Sequence, residues 1–153
     1  MLLVILISGI TACSASTETK EADATLYGSL TPEKWRKPGT WDIVVMTPDE
    51  QPMGNIVLRF TAQPAGEDLC TDAGWYEAIV MEDNLDYDKG FETRAAYMIS
   101  GPWITVDLSA DACNVDHKLI GQVYEDRATG NFNYIARFGG RHLGTFVAEP
   151  IVP

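Results

Sequence analysis

Three cysteines and two histidines are the residues of this 153-residue chain best suited to metal, redox or nucleophilic chemistry. Zinc sites gather Cys and His at short spacings. Cys70 and Cys113 each lack the close second Cys of such a site, and His117 and His142 have no matched third ligand. No metal site is expected from them. A nucleophilic Ser or Cys would need one of the two His within reach. The chain has no Gly-x-Ser-x-Gly turn, phosphate-binding glycine loop, dinucleotide fingerprint or His-Glu-x-x-His helix. The expectation is a protein without enzymatic activity and without a cofactor. Residues 82–92 form the densest acidic stretch. Asn84, Asp86 and Asp88 there set oxygen ligands at alternating positions, as calcium requires. Gly90 falls one place late for a calcium loop, and the closing position holds Ala95 instead of an acid. The stretch is therefore read as a solvated loop.

The chain opens on an apolar run, Leu2-Leu3-Val4-Ile5-Leu6-Ile7, that continues to Ala12. It is too short to cross a bilayer, which takes about 20 apolar residues, and has the length of a signal-peptide core. The run ends in Ile10-Thr11-Ala12-Cys13. This tetrad resembles the lipobox of bacterial lipoproteins. The resemblance implies removal of residues 1–12 as a signal peptide, a diacylglyceryl thioether on Cys13 and an acylated new N-terminus. Ser14 in place of Asp implies sorting to the outer membrane, facing the periplasm or the surface. More than one acyl chain is what stable anchoring requires. Residues 14–26 are small, polar and without periodicity, so 13–26 reads as a lipidated flexible tether. With Cys13 acylated, Cys70 and Cys113 remain as a pair, and an oxidising envelope implies a disulfide between them. It would close a loop of about 43 residues, for which the chain-entropy relation gives up to about 4 kcal/mol. Both Cys sit in turn-like sequence, Gly66-Glu67-Asp68-Leu69-Cys70 and Ala110-Asp111-Ala112-Cys113-Asn114. The bridge is expected to join two loops across one end of a sheet.

Net charge is −11, from 22 acidic and 11 basic residues. That balance opposes binding to nucleic acid or to anionic lipid head groups through the protein surface. It leaves a basic protein partner open.

The elements that must position these residues are strands. Thr31 and Pro32 cap one helical turn over 31–37, and Pro38-Gly39 stops it. From Trp41 the apolar period becomes two. Strands are expected over 41–47, 55–62, 75–81, 93–100, 103–108, 117–125, 131–138 and 141–149. Gly139-Gly140 is taken as a two-residue hairpin connection. That register pairs Phe138 with Arg141, Ala136 with Leu143, Tyr134 with Thr145 and Phe132 with Val147, all on the core side. It leaves Ile135 and Phe146 on the other. A further hairpin is expected to turn over 126–130. Eight short strands with tight turns imply an all-β fold. One antiparallel meander over 27–153 would close into an eight-stranded barrel, with a two-sheet β-sandwich as the alternative.

Gly39-Thr40-Trp41, opening the first strand, resembles the Gly-x-Trp of lipocalins. The resemblance implies a calycin-like barrel whose closed end is plugged by Trp41, with Arg137 or Arg141 packed over that ring. A cavity in such a barrel would suit a small apolar or aromatic ligand, with Trp41, Phe60, Trp75, Phe132 and Tyr134 as its binding residues. The expected function is a cell-envelope lipoprotein acting as a non-enzymatic binding module. The alternative is an acidic protein-interaction lipoprotein, an inhibitor or assembly factor that meets a basic partner. The anchor has a direct test by fractionation: Cys13→Ser should move the protein from membrane to soluble fraction, and unchanged membrane retention contradicts the lipid attachment.

Overall fold

The computed structural model describes residues 38–87 and 94–152. The lipobox with Cys13, the tether, the helical turn over 31–37 and residues 88–93 of the acidic stretch lie outside the described residues. Eight strands follow in order: β1 (Gly39–Met46), β2 (Pro52–Pro64), β3 (Tyr76–Asp83), β4 (Arg94–Ser100), β5 (Trp103–Asp107), β6 (Val115–Val123), β7 (Ala128–Ala136) and β8 (Gly139–Pro150). Each pairs antiparallel with the next, and β8 returns to β1 to close a barrel. The barrel expectation holds and the sandwich is set aside.

Alternation along each strand selects the inward set. Trp41, Ile43 and Val45 on β1 point into the barrel, as do Ile56, Leu58 and Phe60 on β2 and Leu119 and Val123 on β6. These side chains meet in one continuous core. At the end where β1 begins, Trp41 stacks on Phe60 with ring centroids 6.1 Å apart, and Phe60 on Tyr97 at 4.3 Å. The Tyr97 hydroxyl donates to the Thr61 carbonyl at 2.6 Å.

The last hairpin corrects the expected register. The turn is Arg137-Phe138, and Gly139 already pairs with Ala136. Gly139 takes the positive φ, +146°, inside the strand. Tyr134 therefore faces Arg141 and Phe132 faces Gly144. Thr129, not Phe132, faces Val147. A register shift beside Asn133 leaves Leu143 without an opposite residue. That bulge lets two residues of opposite parity, Leu143 and Phe146, both enter the core. Room for the Phe146 ring comes from Gly121, where a Cβ would lie 2.7 Å from it. Gly121 pairs with Gly130, which is thus within β7 and not in the turn assigned to 126–130.

The disulfide Cys70–Cys113 is present, spanning 43 positions. Its geometry corrects a second expectation. Cys70 belongs to the β2–β3 connection and Cys113 to the β5–β6 connection. In an up-and-down barrel these leave from opposite ends. The β2–β3 connection folds back along the outside of β4, where Leu69 packs with Ala96 and Ala110. The Cys70 amide donates to the Ala110 carbonyl. Small side chains at Ala96 and Ala110 permit that approach. Arg94 ties the same segment down, bonding Glu77 at 2.9 Å through Nε and also Asp68. The Arg94 hydrogen bond holds the Asp68 carboxyl below its usual range. At the end of β5, Asp107 is buried and accepts from the Ser109 amide at 3.0 Å. Lys118 Nζ lies 3.6 Å from Asp107 and 2.7 Å from Asp116. Burial pushes the Asp107 pKa up, against the opposing effects of Ser109 and Lys118.

Burial also pushes Tyr97 up to about 12. An unfolded tyrosine ionises near pH ~10. The stability Tyr97 contributes is thus complete below about pH 10 and is lost as pH rises through 12. In an alkaline titration followed by tyrosinate absorbance and circular dichroism, a late tyrosine ionisation should accompany unfolding of the barrel, and Tyr97→Phe should remove that step. Complete ionisation of the tyrosines with the barrel intact contradicts this.

Candidate functional site

The barrel interior is occupied by its own side chains, so space for a ligand has to be sought at the ends. One end carries the β7–β8 turn and the β3–β4 and β5–β6 connections. There the inward alternation of β6 begins with His117, ahead of Leu119, and His117 is 6% exposed. Tyr87, from the β3–β4 connection, lies across it, with its hydroxyl 3.0 Å from His117 Nε2. Which atom donates follows the imidazole tautomer. The Tyr87 ring meets His117 edge-on at 5.3 Å and Phe132 at 6.0 Å. Tyr134 leans on His117 at 5.2 Å. Phe132 is fully buried beneath this group.

Above the four rings lies an open cleft of about 590 Å³. Tyr87, His117 and Tyr134 line one part of it, and Phe138, Gly139, Gly140 and Arg141 the other. Phe138 projects from the turn and is 95% exposed. The Arg137 guanidinium stands 5.7 Å from the centre of its ring. Gly139 and Gly140 add no side chain, which leaves the wall between Phe138 and Arg141 low. The arrangement offers flat apolar surfaces, two polar side chains already paired with each other, and one guanidinium. It can hold an aromatic group by stacking and edge contacts.

The five aromatic residues expected to bind a ligand are dispersed by the fold. Trp41, Phe60 and Phe132 are core. Trp75 lies on the outer surface beside the β2–β3 excursion, with Lys118 Nζ 5.7 Å from its ring centre. Tyr134 alone lines the cleft. Arg137 and Arg141 flank the β7–β8 turn, at the end away from Trp41, so neither packs over that ring. Tyr87 and Phe138 were not foreseen as site residues. The local signal at Tyr87 is a single aromatic between Asp86 and Asp88, within a stretch whose acids otherwise point to a solvated loop.

His142 is exposed, with Nδ1 3.5 Å from Asn133 Oδ1. Asp116 pairs with Lys118 on the outer surface while His117 points inward, so the two neighbours in sequence face opposite ways. Asn84 and Asp86 run beside β2, their amides donating to Asn55 and Met53 carbonyls at 2.9 and 2.7 Å. Among the described residues no group of three or more His, Cys, Asp or Glu is placed to hold a metal ion. Nor is any helix among them long and apolar enough to cross a membrane. A second, smaller groove of about 320 Å³ lies on the outer face, where Asp42 and Glu149 stand opposite one another in the β1–β8 pair.

Comparisons with models of known protein families, with curated proteins and with solved structures find no match.

Proposed function

We propose that this chain is a cell-envelope lipoprotein, attached to a membrane through Cys13, whose barrel is a non-enzymatic binding module for a small apolar or aromatic ligand. The observation that carries the binding reading is the aromatic-lined cleft at the β7–β8 end. Its volume, about 590 Å³, falls in the usual range for small-molecule sites. Such sites are mostly apolar with a few polar groups that orient the ligand. Here Tyr87, Tyr134 and Phe138 supply the apolar surface, and His117 and Arg141 the polar groups. With the interior filled, the ligand sits at the mouth of the barrel and does not enter its axis.

A second reading, an acidic surface for a basic protein partner, draws on the outer groove. Directly opposed like charges destabilise a strand pair. The Asp42–Glu149 pair therefore favours a cation brought by a partner, and Val44, Val147 and Ile151 beside it offer a place for the apolar stem of a Lys or Arg.

Titration with phenylnaphthylamine, an uncharged probe that fluoresces in apolar sites, tests the first reading. The wild-type protein should bind it saturably. Phe138→Ala, which removes an exposed ring and leaves the core untouched, should weaken binding about three- to tenfold. Absence of saturable binding, or indifference to the Phe138 change, contradicts the site.

A further inference from the structure

The charge of the cleft differs from that of the chain as a whole. Acids outnumber bases 22 to 11 in the sequence, yet among the described residues no Asp or Glu lines the cleft, and Arg141 does. Two of the other described cations are already paired with acids. Arg94 bonds Asp68 and Glu77, and Lys118 bonds Asp116 and approaches Asp107. Arg141 makes no ion pair with any described residue. It stands opposite Tyr134 in the β7–β8 ladder, at the edge of the aromatic surface.

From these observations we infer that the cleft selects an aromatic ligand bearing an anionic group, a carboxylate or sulfonate, with Arg141 receiving the charge while Tyr134 and Phe138 hold the ring. The inference rests on the binding reading proposed above and names the chemical class of its ligand. A guanidinium presents two parallel N–H donors that match the two oxygens of a carboxylate or of a sulfonate edge. The surrounding acidic surface repels anions in general, so discrimination depends on a local cation held beside an apolar wall. Tyr134 and Arg141 face each other, which puts ring contact and charge contact within the span of one small aromatic acid.

Two probes separate the parts of this claim. Anilinonaphthalenesulfonate and phenylnaphthylamine share an aryl amine, and only the first carries a sulfonate. The quantity read is the ratio of their dissociation constants, measured by fluorescence on the folded protein. The wild-type should prefer the sulfonate by about fivefold, the scale expected of a partly exposed charge pair. Arg141→Gln should bring the ratio close to one. Arg127→Gln, which removes an equal charge from the β6–β7 connection, should leave the ratio as in wild-type. Rising salt should narrow the wild-type ratio. If the neutral probe binds but the wild-type shows no preference, or Arg141→Gln keeps it, the anion inference falls and the binding reading stands. If Arg127→Gln lowers the ratio as much as Arg141→Gln does, the preference belongs to overall charge and the inference falls. If neither probe binds, both fall together.

Discussion

A sheet that closes on itself must turn one face of every strand toward a common axis, and here that constraint is completed by the ladder between β1 and β8. It runs from Trp41 opposite Pro150 to Met46 opposite Thr145. Once it forms, no strand edge is left open, and the inward side chains have only one another to pack against. An eight-stranded barrel is about wide enough for its own side chains or one small ligand. In this chain the side chains take the space. Phe60, Phe132 and Phe146 are large, and Gly121 makes room for the third. A filled axis leaves only the ends of the barrel open, and the cleft at the β7–β8 end is one such opening.

Filling the axis also leaves the outside of β4 to be covered by something else. The β2–β3 connection does this, and the Cys70–Cys113 bridge with the Arg94 contacts keeps it there. The exposed ion pairs add little individually. The covalent link restrains the unfolded chain over a 43-position span and is the stronger device, up to about 4 kcal/mol on the entropy relation. It joins connections from the two ends of the barrel, so it clasps the wall lengthwise instead of closing one rim. The clasp and the cleft share β6 but otherwise use different strands: β2 to β6 carry the first, while β7 and β8 supply most of the second.

The strands were legible because alternation is a local property. Trp41, Ile43 and Val45 announce β1 without reference to any partner, and β8 was placed within two residues at its start. Cys70 and Cys113 were legible as a pair through the lipobox reading that set Cys13 aside. What alternation cannot report is an inserted residue. The bulge at Leu143 reverses the parity of everything after it, so alternation alone puts Phe146 on the outer face while the fold buries it. Gly139-Gly140 suggests the turn itself, but Gly139 follows the turn, which shifts Phe138 and Arg141 from the neighbours that register predicts. Of the expected ligand contacts, Tyr134 reached the cleft because its strand and face were both right. Trp75 did not, since nothing local distinguishes a residue that packs on the outer wall from one that packs inside.

The claim beneath all of this is that the barrel axis is closed to ligands and its mouth between Tyr87 and Arg141 is open. Nuclear magnetic resonance of the isotope-labelled protein during titration with the neutral aryl probe tests it most directly. The account predicts that amide signals of Tyr87, His117, Tyr134, Phe138 and Arg141 move with the probe while the Trp41 indole signal stays in place. Movement of the Trp41 indole with the mouth residues unchanged would show that the ligand enters the interior, and the account would be wrong.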